Sequence, residues 1–367
     1  MSKAAMVSVM TRKKNLSLSQ SEDRAVLSAD VPQKPALLIV NLGTPDEATP
    51  SAVRRFLRAF LTDRRVIETH PILWRPILEG IILRIRPSRV AHAYRTIWSE
   101  EGSPLLVGTM AQVEGLRQRL GSSVEVRPAM CYGSGNIREV LDDLYAEGYR
   151  RVAIVPAYPQ YSASTVGAVF DEVARWGLGS RDQLSVRTVR SYEGAPAYIE
   201  ALATALEESW QKNGRPDFEA GDVVLASFHS IPQAMVDKGD PYQLECERTV
   251  KLLRQRLGCN EKELILTYQS VFGPAKWIGP ATIDTVESLG AQGRRRVDVI
   301  CPGFVADCLE TLEEINVLNR QVFIDAGGKT FNYIPWANGS SACVDMLEEQ
   351  AKEVLAGWVN APAAVRA

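Results

Sequence analysis

Three carboxylates and one histidine stand where this chain could use them for chemistry. Asp307, Glu310 and Glu314 lie in "ADCLETLEEI", spaced i, i+3 and i+7 and directly following the apolar run "RRVDVICP". If a helix starts near Val305, at about 100° per residue the three fall within about 60° of one another on one face. Leu309, Leu312 and Ile315 project in other directions and can pack that helix down. The histidine, His229, closes the run "VVLASFH" just before "SIP" breaks it, and Val223 to Phe228 read as a short strand buried on both faces. A histidine there can be satisfied by a neighbouring backbone group, and a charge run on a helix is commonly a solvated face. Position argues for more, because both features follow the carboxyl ends of strands, where open α/β sheets bind ligands.

A histidine opposite a ladder of carboxylates can take up protons and handle a divalent cation. Oxygen and imidazole donors without clustered thiolates suit iron(II), manganese or magnesium better than a structural zinc. Neighbouring carboxylates raise one another's pKa, so a ladder can store a proton as well as pass one on.

Strands alternating with helices must position these groups. "PALLIVNLGTP" (35–45) reads as a first buried strand, and "SAVRRFLRAFLTD" (51–63) follows with helical spacing at Val53, Phe56, Leu57, Phe60 and Leu61. Further strands are "VEVRPAMCYG", "RRVAIVPAYPQY", "LSVRTVRSY", "VVLASFHSIP", "ELILTYQSVFG" and "RRVDVICPGF". Helical patterns fill 111–120, 136–147, 196–212, 240–257, 280–290 and 343–357. The alternation predicts parallel sheets with helices on both faces. "GYRRVAIVPAY", from Gly148, resembles "GRRRVDVICPGF", from Gly293, which predicts two similar α/β halves. The boundaries drawn on this basis are a disordered tail over 1–34, a first domain over 35–190, a second over 191–330, and a C-terminal segment over 331–359 packing back on the first.

The first half is the longer, with its surplus at 66–107. That surplus holds "HPILWRPILEGIILRIRPSR" (70–89), a wide apolar band flanked by Arg75, Arg84, Arg86 and Arg89. It suits either a buried helix or an interfacial helix forming a greasy lip for a flat apolar ligand.

Composition narrows the function classes. With 367 residues, two domains are expected, and 46% hydrophobic with 23% charged residues is ordinary for a soluble globular chain. A net charge of −2 gives no broad electrostatic case for nucleic acid. The cysteines at 131, 246, 259, 301, 308 and 343 are scattered and contain no CxxC pair, so neither a zinc knuckle nor a disulfide framework is indicated and a reducing cytoplasm fits. No stretch approaches the roughly 20 apolar residues that span a bilayer. "VNLGTPDE" is not GxGxxG, "GSGN" (133–136) is too short to count, and no GxxxxGK[ST] or GxSxG occurs, so dinucleotide, nucleotide triphosphate and hydrolase readings lack support.

Four longer motifs, "SFHSIPQAMVDKGDPY", "YPQYSAST", "TYQSVFGPAKWIGP" and "ADCLETLEEI", together resemble ferrochelatases, in order and across about Leu37 to Glu349. The resemblance is to the Gram-negative bacterial type. It implies two Rossmann-like, chelatase-like domains, each a parallel sheet flanked by helices, with the active-site cleft between them. It implies insertion of iron(II) into protoporphyrin IX to give protohaem, with release of two protons. The family bends the macrocycle so that nitrogen lone pairs tilt towards the metal while a base takes the protons, and that strain must come from binding energy elsewhere on the ring. A related chelatase for coproporphyrin III, or a haem carrier without insertion activity, are the alternatives.

Carried over residue by residue, His229 matches the catalytic histidine, as proton acceptor or metal ligand, and Glu310 the carboxylate opposite it. Glu314 and Asp307 extend the acidic ladder as metal-handling groups. Tyr132, Trp277 and Leu42 match pocket positions, and Arg89, Tyr94 and Ser103 match positions that hold propionates or close the mouth. Tyr158 and Tyr161 are expected as scaffold, with His70 and His92 peripheral. Two positions depart from the pattern: Cys131 stands where many relatives have arginine, and Cys308 where animal relatives have a second histidine. Nothing after Cys343 can ligate by sulfur, so no iron–sulfur cluster is expected and iron is substrate rather than cofactor. The implied partners are porphyrin, haem and ferrous iron. The implied setting is the cytoplasm, with peripheral contact to the inner membrane through residues 72–85.

Overall fold

The computed structural model describes residues 34–359. The tail expected over 1–34 therefore lies outside the described residues, apart from Lys34.

Among the described residues, eight strands form two parallel sheets. β1 (Ala36–Asn41), β2 (Glu125–Met130), β3 (Arg151–Pro156) and β4 (Ser185–Thr188) pair in the order β2-β1-β3-β4. β5 (Val223–His229), β6 (Leu264–Gln269), β7 (Arg296–Ile300) and β8 (Thr330–Ile334) repeat it as β6-β5-β7-β8. The central strands "ALLIVN" and "VVLASFH" are buried along their whole length except at the closing histidine, as expected for strands with both faces covered. The sequence repeat is expressed in the topology, because its two copies are β3 and β7, third strands of equivalent sheets. Gly148 and Gly293 both take the left-handed conformation (φ +90° and +81°) that ends the preceding helix and aims the chain into the strand.

Each sheet reverses its winding direction beside its central strand, and such switch points open a crevice at the carboxyl ends. In the second sheet the crevice lies between the end of β5, at His229, and the segment after β7. In the first it lies between the ends of β1 and β3.

The helix expected from Val305 forms differently. Residues 301–308 run as turns, and a π-helix spans Glu310–Asn319 before an α-helix over Arg320–Asp325. Asn319 donates its side-chain amide to the Glu314 carbonyl at 2.7 Å, so a polar group enters the backbone ladder and favours the wider i→i+5 winding. Asp307 therefore stands before the helix and not on its face.

The lip is one long helical arm, Pro71–Ile77, a π-turn over Leu78–Ile82, and Leu83–Ile97. Polar bonds dock it on the Pro50–Leu61 helix: Arg58 with Glu79 at 2.7 and 2.9 Å, Arg54 to the Leu83 carbonyl at 2.8 Å, and Trp74 to the Leu61 carbonyl at 2.7 Å. Leu78 and Leu83 point inward, whereas Ile72, Leu73, Ile77, Ile81 and Ile85 are exposed. Of the two readings of this band, the buried helix is overturned.

The C-terminal helix Ser341–Val354 packs against β3 and the helices Pro104–Leu120 and Pro196–Asn213. One apolar core runs through it, joining Leu37 and Ile39 of the first sheet to Val224 and Phe228 of the second. β8 was not legible as a strand, and the second sheet continues through Ile334, past the boundary drawn at 330.

Candidate active site

His229 is half-buried at the end of β5, opposite Gln269 of β6. Its Nδ1 lies 2.5 Å from the Ser230 carbonyl oxygen. A carbonyl can only accept, so Nδ1 carries a proton, and the neutral tautomer compatible with this contact is the one whose Nε2 lone pair is free. The backbone contact first raised as a bland role thus selects the tautomer that a proton acceptor or metal-delivering ligand needs.

The π-helix faces this ring. Glu314 accepts the Ser270 N–H at 2.6 Å and the Ser270 hydroxyl at 2.5 Å. Burial raises the Glu314 pKa; the Ser270 bonds and the nearby His229 oppose the rise, and Glu310 adds to it. Glu310 stands next to the Cys308 thiol, whose pKa is pushed well up by burial and then by the Glu310 charge.

Glu310 also meets the first domain. Tyr94, on the lip helix, has its phenol pKa raised by burial first and then by the charges of Glu310 and Cys308. Leu42 packs with Leu105, Met130, Cys308 and Phe304, bridging the end of β1 to the segment before the π-helix. Tyr132 is buried, donates its hydroxyl to Asp63 at 2.8 Å and meets Phe60 edge-on at 5.2 Å. Burial, then the Asp63 charge, pushes its pKa up, so it stays a neutral donor. Cys131 is a buried thiol whose pKa is raised by burial, so it places no charge beside Tyr132.

Across the mouth, Trp277 lies 4.7 Å from Phe272, and the Arg86 guanidinium sits 5.4 Å over the Phe272 ring. The Trp277 indole N–H is buried without a hydrogen-bond partner among the described residues. Arg89 is exposed, and its charge lowers the pKa of Glu313 against the larger raising effect of burial.

Two expected site residues have other work. Asp307 accepts from Asn338 at 2.7 Å, from Thr311 at 2.9 Å and from the Tyr333 hydroxyl, so its oxygens are engaged within the protein. Asn338 returns the contact by accepting the Asp307 N–H at 2.8 Å. Among the described residues no group of three or more His, Cys, Asp or Glu side chains is arranged to hold a metal ion, so the four-residue ligand set expected with Asp307 is not preassembled. Ser103 is buried and caps the Pro104–Leu120 helix by accepting the Leu106 N–H at 3.2 Å, a structural role beside the one expected of it. Conversely, Gln269, Ser270, Asp63 and Asn338 were given no role from sequence. The signal for the first two is a polar pair closing the apolar run "LILTYQS" beside a strand that ends in histidine.

Two doubly wound halves meeting over a tautomer-locked histidine and a carboxylate-bearing π-helix define an α/β enzyme with a proton-handling cleft. Comparison makes the class particular. The ferrochelatase family model matches residues 34–355. Ferrochelatase of Neisseria meningitidis serogroup A is 45% identical over 332 residues, covering 90% of this chain and 97% of its own. That of Yersinia enterocolitica is 45% identical over 322 residues, covering 88% and 98%. The chain belongs to the ferrochelatase family. Among solved structures, SirB from Bacillus subtilis with Fe3+ is similar with a TM-score of 0.52 at 16% identity, covering 88% of this chain and 96% of that one, a likeness of fold alone.

Proposed function

We infer that this chain inserts iron(II) into protoporphyrin IX, giving protohaem and two protons, as the last step of haem formation. Family membership supports the reaction, and one observation carries the mechanism: the bond from His229 Nδ1 to the Ser230 carbonyl, which leaves Nε2 as a base within electrostatic reach of Glu314.

The macrocycle enters with two N–H groups and leaves with none, so each nitrogen that gives up a proton gains a bond to iron. His229 Nε2 accepts a proton on one face of the ring. Glu310 stands opposite, and Glu314, fixed by Ser270, takes that proton onward from the imidazolium so that His229 can accept the second. Leu42, Tyr132 and Trp277 shape an apolar pocket that excludes water from this exchange, which strengthens each electrostatic contact inside it. Tyr94 closes the cleft beside Glu310, and Arg89 at the rim offers a cation to a propionate. Iron is the substrate; the six cysteines are free thiols dispersed over the fold, and no cofactor enters the scheme.

The exposed stripe Ile72, Leu73, Ile77, Ile81 and Ile85, flanked by exposed Arg75, Arg84 and Arg86, suits a membrane surface with anionic headgroups. No helix among the described residues is long and apolar enough to cross a membrane. A cytoplasmic enzyme resting on the inner membrane through this arm fits both observations. The 35–190 and 191–330 division, the latter extended to take in β8, is part of the same reading, with the cleft at their junction.

Anaerobic turnover of iron(II) and protoporphyrin IX, followed by haem absorbance with His229→Ala alongside, tests the inference. The parent is expected to make haem, and the variant to bind porphyrin with turnover lower by about a hundredfold or more. Coproporphyrin III supplied in competition should be used more slowly. A parent that binds porphyrin but never inserts iron would overturn the reading in favour of a carrier.

A further inference from the structure

Gln269 is buried at the end of β6, with 2% of its surface exposed, and it touches both the strand that carries His229 and the π-helix that carries Glu310. Its backbone carbonyl accepts the Ser230 N–H at 2.8 Å, fixing the turn that orients His229. Its side-chain nitrogen donates to the Glu310 backbone carbonyl at 2.7 Å. Its side-chain oxygen accepts from the Ser227 hydroxyl of β5 at 2.8 Å and from the Cys301 thiol, just past β7, at 3.5 Å. The amide orientation follows from the partners, because a carbonyl accepts only and the NH2 end must face Glu310. The next residue, Ser270, holds the Glu314 carboxylate with two bonds and adopts φ +63°, a left-handed conformation rare outside glycine. Such an outlier at a site points to a geometry that the surroundings enforce.

We propose that Gln269 is a positioning residue that sets the π-helix at a fixed distance from His229. The inference rests on the reading of His229 and Glu310 as groups acting across one porphyrin. The physical reason is connectivity. His229 lies on a sheet, and Glu310 lies at the first residue of a π-helix preceded by eight residues of irregular chain. A π-helix is a strained winding, so its start needs an external hold. The Gln269 amide supplies that hold from the strand paired in register with His229, so the two functional groups share one rigid reference. An apolar side chain of similar volume would fill the space and leave the Glu310 carbonyl, the Ser227 hydroxyl and the Cys301 thiol without this partner. The head of the π-helix would then drift, and misplacement on the order of 1 Å costs about a hundredfold in a reaction that depends on alignment.

The test uses Gln269→Met in the full chain, with protoporphyrin fluorescence titration for affinity and number of sites, and anaerobic haem formation for turnover. A positioning role lowers kcat at least about tenfold, with porphyrin Kd within about twofold and one site per chain. A merely structural role lowers the number of sites and the turnover in the same proportion. Ser227→Ala removes the bond that orients the amide, together with the Ser227 contact to the Thr282 hydroxyl at 2.7 Å, and it keeps the question answerable if the methionine variant does not fold; it is expected to lower kcat about threefold with Kd unchanged. Whichever variant folds, kcat within about twofold of the parent overturns the proposal. Failure of the underlying reading is a separate result, seen as an active His229→Ala enzyme.

Discussion

Ser270 donates its N–H and its hydroxyl to the two oxygens of the Glu314 carboxylate, at 2.6 and 2.5 Å. Two donors should favour the ionised acid, yet the Glu314 pKa is raised above the ordinary glutamate value because burial outweighs both, and Glu310 adds to the rise. The carboxylate is therefore held in place without being held in one charge state, which suits a group that passes protons on.

That shift has a sign for stability. A carboxyl whose folded pKa exceeds its unfolded value favours folding while protonated, and the contribution is lost as pH rises through the folded pKa. Glu314→Gln abolishes the dependence and can still accept from the Ser270 N–H. The difference in Tm, variant minus parent, should become more positive between pH 4.5 and pH 8, by about 1–2 °C if about 1 kcal/mol is involved. Calorimetry at both pH values checks this; a difference that stayed flat or fell with pH would contradict the assigned direction.

Strands were legible wherever burial on both faces wrote a continuous apolar run, as in β1, β3, β5 and β7. β8 escaped because "TFNYI" buries only Phe331 and Ile334, leaving a mixed pattern, and the helix Val166–Gly179 went unmarked. His229 and Glu310 were legible through strand ends and family motifs. The π-winding was not, since spacing was measured on an α-helix, and the group that widens the turn, Asn319, lies five residues beyond the carbonyl it binds. Asp307 failed as a ladder member because its partners Tyr333 and Asn338 are remote in sequence. The capping role of Ser103 was itself legible, as Ser-Pro is the ordinary opening of a helix.

The pocket wall offers a stability prediction. Gly43, just after Leu42, has φ +101°, and a Cβ added there would lie 2.0 Å from the Tyr132 carbonyl oxygen. Gly43→Ala must therefore push the β2 end away from β1, beside Leu42 and Tyr132, the residues proposed to shape the pocket. We expect a loss of roughly 2–4 kcal/mol from strain and clash together, with weaker porphyrin binding in whatever fraction stays folded. Urea unfolding gives the first quantity and fluorescence titration the second; a variant as stable as the parent would contradict the close approach.

The lip gives the last prediction. Ile77 and Ile81 are 43% and 55% exposed, while Leu78 beside them is fully buried, so the arm's outer face can change without disturbing its inner one. A carboxylate on that face costs little in water but is opposed at a membrane, both by lost apolar contact and by repulsion from anionic headgroups. The double variant Ile77→Glu, Ile81→Glu should keep the parent's Tm and its turnover with detergent-dispersed porphyrin. Its fraction sedimenting with vesicles of mixed zwitterionic and anionic lipid should drop several-fold. Added salt should weaken the parent's binding only in part, because the isoleucines contribute at any ionic strength while the flanking arginines are screened. An unchanged bound fraction in the variant would remove the arm as the membrane contact and leave its apolar face to the porphyrin alone.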